Sequence, residues 1–418
     1  MSDILQWNIR GLQANREELN ILLSDFNPTI VTLQETFLNA TKTTVFKNYS
    51  FYSRPGEDSN GTVHGGVAIL VNNAVPHSHI QLNTSLQAIA IRATCHRTIS
   101  VCSIYLPPST KFNSNDFDSL ISQLPTPVLL LGDFNAHSSL WGCSKTDVRG
   151  KLVEDLLLKH NLLLLNDSSH TYLHPATGST SAIDLSISTP SLYLDFTWQV
   201  IADQHGSDHF PVGIHSYTAA PSVTNSTWKL SKADWATFSS IASSELGHIR
   251  PDDVEDAVDH FTDTLINIAH STIPKSKPRS KKRDPVWLND DCRDNIRNRR
   301  KAIQKVKRCP TSANIENLRI IRAKARRTIK STRRQSWQSF VSKINSRTSI
   351  KKVWTMVCKI AGKPSISPIQ HLQVNDVEIT DLPDIANTIA QTFSDNSSSV
   401  KNSTKFKSCR SLAEKQLI

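Results

Sequence analysis

Apolar residues follow two rhythms along this chain, and the rhythm changes near its middle. As far as Tyr217, short apolar runs alternate with amphipathic stretches. Asp3–Ile9, Ile30–Gln34 and the run from Gly65 to Val71 predict strands, the last behind a glycine pair. Asn15–Phe26 carries Leu19, Leu22, Leu23 and Phe26 on one side and stops at Pro28, so it predicts a helix. Leu86–Thr94 and Thr98–Tyr105, separated by Cys95-His96-Arg97, predict a hairpin. Val128–Leu131 is wholly apolar, as a buried central strand should be. Val148–His160 predicts another helix. Leu162–Leu165, Ala182–Ile187, Phe196–Ile201 and Pro211–Ile214 predict further short strands. Many strands with interspersed helices make an α/β (or α+β) sheet domain over residues 1–217.

Beyond it the pattern turns helical and basic. Ala219–Thr227, rich in Pro, Ser, Thr and Asn, reads as a linker. Trp228–Ile273 shows helical spacing in Trp235, Phe238 and Ile241, and again in Phe261, Leu265 and Ile268. The Lys/Arg/Ser/Pro stretch Pro274–Pro285 is not expected to pack. Val286–Lys307 and Ala313–Ile344 predict long basic helices broken at Pro310. The second has an apolar stripe of Leu318, Ile321, Ala325 and Ile329, continued by Trp337, Phe340 and Ile344. Ile350–Ile360 predicts a shorter helix, and a loose tail is expected from Asp395 onwards. The expected organisation is a sheet domain (1–217), a helical linker region (218–273), a basic helical connector (274–363) and a loosely ordered tail (364–418).

Charge sharpens that division. Of 418 residues with a net charge of +11, residues 1–217 hold 12 Lys and Arg against 18 Asp and Glu, a balance of −6. Residues 218–418 hold the other 36 and 19, a balance of +17. Residues 275–363 alone hold 28 basic against 5 acidic side chains, which favours a polyanionic partner over a plain solvated helix surface. Lys281, Lys282, Arg283, Arg299, Arg300, Arg326 and Arg327 are the candidate nucleic-acid contacts. No run approaches the ~20 apolar residues of a membrane span, and no basic start with an apolar stretch marks a secretory signal. The seven cysteines are scattered and never spaced C-x-x-C, which argues against a disulfide scaffold or structural zinc. Cys292, without a partner at ligand spacing, is expected to pack.

Polar residues concentrate where apolar strands stop, which is where sheet proteins place their sites. The stretches are Gln6-Trp7-Asn8-Ile9, Leu33-Gln34-Glu35-Thr36, Gly132-Asp133-Phe134-Asn135-Ala136-His137, Ser181-Ala182-Ile183-Asp184 and Gly206-Ser207-Asp208-His209. Asp133 and Asn135 share one face if the chain stays extended. Carboxylates, a carboxylate beside a histidine, and an asparagine able to polarise water together suggest metal-assisted hydrolysis.

In this order, W-N-I, Q-E-T, I-Y-L-P-P (Ile104–Pro108), G-D-F-N-A-H, S-A-I-D-L and S-D-H-F-P-V resemble the endonuclease/exonuclease/phosphatase superfamily. Within it they resemble the apurinic-type endonuclease of non-LTR, jockey-type retrotransposon polyproteins. The resemblance covers residues 3–217. It implies a DNase I-like four-layer sandwich, here followed by the basic helical region. It implies that Glu35 ligates a divalent metal (magnesium, with manganese the alternative), that Asn8 supports that site and that Asp208 sits at the metal side. It further implies that Asp133 orients or deprotonates the attacking water, with Asn135 holding water and phosphate. His209 would contact the scissile phosphate, Asp184 would orient His209, and Tyr105 would bind the phosphate or leaving oxygen. One departure stands out: the family's repair enzymes read N-x-D where this chain has Asn8-Ile9-Arg10. More weakly, Pro285–Cys292 and Phe340–Lys363 resemble segments between endonuclease and reverse transcriptase, and no Tyr-x-Asp-Asp occurs. The chain therefore looks like the front of a longer element product.

The expected activity is nicking of duplex DNA to leave a 3′-hydroxyl that would prime reverse transcription. The expected partners are target DNA and element RNA, with no membrane and no small-molecule cofactor, and the expected location is the nucleus. The rivals are an inactive remnant that only binds nucleic acid, and a superfamily phosphatase on small phosphoesters.

Overall fold

The structure is a computed structural model. It describes residues 3–392 apart from 40–43, 60–61, 96, 111, 217–227, 247–253, 276–283, 346–347, 362–371, 375–376, 380–383, 386 and 389. The expected linker at Ala219–Thr227, the tail from Asp395, and Lys281, Lys282 and Arg283 lie outside the described residues.

Strand β1 (Asp3–Asn8) leads to helix α1 (Arg16–Phe26), which ends on left-handed Asn27, before Pro28, since proline disfavours the helical region for the residue ahead of it. Then come β2 (Ile30–Gln34), β3 (Tyr49–Arg54), the small pair β4 (Glu57–Ser59) and β5 (Thr62–His64), and β6 (Val67–Asn72). A second set follows: β7 (His77–Ile80), the hairpin β8 (Gln87–Thr94) and β9 (Thr98–Tyr105), α2 (Ser114–Ser122), β10 (Val128–Asp133) and α3 (Val148–Lys159). β11 (Leu163–Leu164), β12 (Tyr172–Leu173), β13 (Thr180–Ser181), β14 (Asp184–Ser188), α4 (Pro190–Tyr193), β15 (Phe196–Val200) and β16 (Val212–Ser216) complete the first half. Strands β3, β7, β12 and β13 were not expected from the sequence; they are short, edge-lying or half-exposed and carry little apolar periodicity, while helix α2, with Phe117 and Leu120 buried on one face, was readable and not expected.

The strands form two six-stranded sheets, ordered β15-β16-β1-β2-β6-β3 and β11-β14-β10-β9-β8-β7. Strand alternation sorts the side chains into layers. Ile4, Ile30, Ile69, Val101, Leu129, Leu131, Val212 and Ile214 meet between the sheets. Leu5, Trp7, Val31 and Leu33 face outward under Leu19 and Leu22 of α1. Leu130, Ile104 and Leu185 face outward under Phe117 of α2 and Val153 of α3. The result is helix, sheet, sheet, helix: the four-layer sandwich expected.

The second half holds α5 (Trp235–Glu245), α6 (Val254–Thr272), α7 (Asp290–Arg308), α8 (Ser312–Val341) and α9 (Ile350–Ala361), then β17 (Leu372–Val374) paired with β18 (Val377–Ile379). Residues 1–364 form one compact unit and 365–418 another. The basic helices α7 and α8 are packed on the sandwich. Ala302, Ile303, Val306 and Leu318 cluster with Leu173 and Phe210, while Trp287, Cys292, Ile296 and Ile329 cluster with Ile21 of α1. Cys292 is buried in that packing, as expected.

Candidate active site

The site follows from strand direction. β1 runs parallel to β2 and antiparallel to β16, and β10 runs parallel to β9 and antiparallel to β14. The C-terminal ends of β1, β2, β9 and β10 therefore share one edge with the N-terminal ends of β14 and β16. Along β1, Ile4, Gln6 and Asn8 face the inter-sheet layer; along β10, Leu129, Leu131 and Asp133 do. The layer thus changes, going toward that edge, from apolar to uncharged polar to ionisable. Gln6 and Ser186 form the intermediate step: Gln6 Nε2 donates across the sheets to the carbonyls of Gly132 (3.0 Å) and Leu185 (3.2 Å), and Ser186 donates to Gln6 Oε1 (2.7 Å). Gln34 donates to Ser103 Oγ at 2.9 Å in the same way. Gly132 is required by the pairing itself, since a Cβ there would lie 1.9 Å from the Ile104 carbonyl oxygen.

Register puts Asp133 opposite Tyr105 on one side and Asp184 on the other. Asn8 Nδ2 donates to Asp133 Oδ2 (2.9 Å) and to Glu35 Oε1 (3.2 Å), and the Tyr105 hydroxyl donates to the same Glu35 oxygen (2.9 Å). Asn135 reaches Asp133 with its backbone N–H (2.9 Å) and its side-chain amide (3.2 Å). His209 Nδ1 is 2.8 Å from Asp184 Oδ2, and Nε2 is 3.9 Å from Asp133 Oδ2. The sequence candidates Asn8, Glu35, Tyr105, Asp133, Asn135, Asp184 and His209 thus lie in one constellation. Arg10, Glu35 and Asn135, each just past a strand end, adopt left-handed backbone with φ of 47°, 49° and 47°. Such conformations persist only where the surroundings enforce them, and they concentrate at functional sites.

Charge separates the roles. Burial alone would push the His209 imidazolium down, but the Asp184 charge and hydrogen bond, with Asp133 and Asp208, outweigh it and raise the group to about 10. Burial raises Asp133, His209 opposes, and the Asp184 and Glu35 charges add, leaving it at about 7. Burial and then the Glu35 and Asp133 charges push the Tyr105 phenol up, so it stays a donor. Asp133, Asp184 and His209 offer ligand atoms within 4.8 Å of one another. Glu35 lies outside that cluster and presents carboxylate oxygens, the ligand chemistry of magnesium or manganese. Asp184 Oδ1 is a buried acceptor without a hydrogen-bond partner among the described residues, a further sign that the site is short of positive charge.

Asp208 takes an ion pair from Arg10 Nη1, so the arginine in the N-x-D position faces the acid expected at the metal side. Among the candidate nucleic-acid contacts, Arg326 and Arg327 are exposed on α8, and Arg300 is 43% exposed with Nε 3.7 Å from Asp203. Arg299 is a correction. It is 1% exposed and locked to Glu18 and Asp203, so it cannot reach a phosphate. It occupies the apolar stripe Cys292, Ile296, Ile303, Val306, and that spacing was a readable signal. Sequence pattern does not reveal Tyr172, whose ring centroid lies 4.8 Å from that of His209, or Thr171, which accepts the Asp184 N–H at 3.2 Å. Nor does it reveal Asn166, which donates to the Asp184 carbonyl at 2.9 Å. No periodicity marks these residues.

Residues 99–213 match the family model described as Endonuclease-reverse transcriptase. The chain is similar to the RNA-directed DNA polymerase from mobile element jockey of Drosophila melanogaster, with 27% identity over 210 residues, 49% of this chain and 23% of that protein. It is similar to the jockey polymerase of Drosophila funebris, with 25% identity over 279 residues, 64% of this chain and 30% of that one. The chain thus spans about a quarter of the length of these curated relatives. Among solved structures, the endonuclease domain of TRAS1, a telomere-specific non-LTR retrotransposon, aligns with a TM-score of 0.43 and 23% identity, over 51% of this chain and 97% of that one. The matched segment, residues 99–213, carries Tyr105, Asp133, Asn135, Asp184 and His209, so the constellation falls within the part of the chain that is similar to the Endonuclease-reverse transcriptase family.

Proposed function

We propose that the protein is a metal-dependent endonuclease that hydrolyses one phosphodiester of duplex DNA and leaves a 3′-hydroxyl able to prime reverse transcription. The observation that carries this reading is geometric: His209, paired through Nδ1 with Asp184, presents Nε2 3.9 Å from Asp133, which shares Asn8 with Glu35 in the same constellation. Asp133, steadied by Asn8 and Asn135, accepts the proton of the attacking water. His209, fixed by Asp184, donates from Nε2 to a phosphate oxygen and stabilises the charge that grows there. The Tyr105 phenol supplies a second donor. Glu35 would hold the magnesium or manganese ion, which when bound supplies Lewis-acid stabilisation of the phosphate. Asp208 is already neutralised by Arg10, so the ligand charge falls on Glu35. The exposed basic side chains of α8, including Arg326 and Arg327, would hold DNA or element RNA through phosphates, with a location in the nucleus.

The product end tests this reading. A labelled duplex cut by the full chain in magnesium should give a nick that a DNA polymerase extends without prior phosphatase treatment. A cut that is extended only after phosphatase treatment would refute the 3′-hydroxyl. Release of inorganic phosphate without chain cleavage would favour a phosphatase.

A further inference from the structure

The turn that delivers His209 is held from outside the sandwich. Arg299, midway along α7, donates to both carboxylate oxygens of Glu18 (2.6 and 2.9 Å) and to Asp203 Oδ2 (2.8 Å). Glu18 also meets His205 Nδ1 at 3.0 Å. Arg322 of α8 donates to Gln204 Oε1, and Gln204 Nε2 donates to the backbone carbonyl of Asp208. Helices α7 and α8 therefore hold Asp203 and Gln204 directly, and His205 through Glu18 of α1, just ahead of Ser207-Asp208-His209. Ser207 passes the constraint on: its hydroxyl donates to the Asn8 carbonyl (2.8 Å) and accepts the His209 N–H (3.1 Å).

The turn has hydrogen bonds of its own, from Ser207 N–H to the Gln204 carbonyl and from Gln204 Nε2 to the Asp208 carbonyl, but its backbone is strained. His205 and Gly206 are successive left-handed residues, with φ of 49° and 89°, and a Cβ on Gly206 would lie 2.6 Å from Asn15 Oδ1. A strained turn relaxes unless its neighbours over-determine it. The grip is also electrically specific. Arg299 is buried against two carboxylates, and a guanidinium fork matches a carboxylate bidentately as a lysine cannot.

We propose that Arg299 and Arg322 are positioning residues of the nuclease, so that the α7–α8 hairpin, beyond the family match ending at residue 213, is part of the working active site. The proposal rests on the nuclease reading above. The hairpin acts through the 203–209 turn, with Gln204 as the link to Asp208.

The test uses the full chain and three variants: Arg322→Ala, Arg322→Lys, and the combined Glu18→Gln/Asp203→Asn/Arg299→Met, which removes the buried charges together so that none is left unpaired. Nicking by the wild-type chain tests the nuclease reading itself. Given nicking, Arg322→Ala should lower kcat about tenfold, with KM and the DNA Kd in EDTA changed less than about twofold, and Arg322→Lys should recover much of the loss. The combined variant should fold, lose kcat to at least the same degree, and show faster amide exchange across 203–209. That exchange reads the grip independently of cleavage. Wild-type kcat in a folded combined variant, or unchanged exchange across 203–209, overturns the proposal. So does an Arg322→Ala effect confined to KM and Kd, which would make Arg322 a DNA contact. If the combined variant does not fold, Arg322→Ala, with its lysine rescue, decides alone.

Discussion

Replacing Asp184 with asparagine keeps the shape of the site and removes one charge. Asp184 Oδ2 lies 2.8 Å from His209 Nδ1, and both side chains are buried. Two unit charges about 4 Å apart at an effective dielectric near 20 interact by about 4 kcal/mol. That is about three pKa units. Taking it from His209, held at about 10, returns the imidazolium to about 7. The protonated fraction then falls about tenfold at pH 8 and about a hundredfold at pH 9. Asp133 moves the same way, because the Asp184 charge helps to raise it to about 7. The active form needs His209 protonated and Asp133 ionised, so activity in the wild type rises through about pH 7 and falls through about pH 10. In Asp184→Asn both limbs shift to lower pH. The assay is kcat for supercoiled plasmid between pH 6 and pH 10. An equal loss at every pH with an unmoved optimum would refute this account of the pair.

Arg10→Asp would free Asp208 and add an acid beside it, so the magnesium concentration for half-maximal nicking should fall about tenfold, read by metal titration. Glu18 and Asp203 have folded pKa values below their unfolded ones: burial would raise both, but the charges and hydrogen bonds of Arg299 and His205 together outweigh it. Their contribution to stability is therefore complete above about pH 4 and is lost as pH falls through the depressed values. The drop in Tm from pH 6 to pH 3 should accordingly be smaller in the combined Glu18→Gln/Asp203→Asn/Arg299→Met variant than in the wild type. Arg326→Ala with Arg327→Ala should reduce the slope of log Kd against log salt by about 2, measured by fluorescence anisotropy on a duplex.

The sheets and the site were legible for one reason: strands that bury both faces are apolar to their ends, so a polar residue at the end announces itself. Val128–Leu131 handing over to Gly132-Asp133 is the clearest instance, and the structure extends that strand through Asp133. Tyr172 and Thr171 were not legible because a strand of two residues has no period. The basic half misled in a different way. Its charge was read as surface, yet Arg299 points inward from a helix whose other inward positions are Cys292, Ile296, Ile303 and Val306. Composition gives the sum of the charges but not their direction. The acids that bury Arg299, Glu18 and Asp203, lie 281 and 96 residues away in sequence. The Arg10 departure was visible in the sequence; its ion pair with Asp208 was not.

The proposed function stands or falls on DNA cleavage at the Asp133–His209 site. The direct measurement is conversion of supercoiled plasmid to open circle by the full chain, in magnesium and in EDTA, beside Asp133→Asn and His209→Ala. Nicking is expected in magnesium only, reduced at least a hundredfold in each variant while duplex binding stays within about twofold. Nicking that survives both substitutions, or a well-folded wild type that binds DNA and never nicks it, would contradict the proposed function.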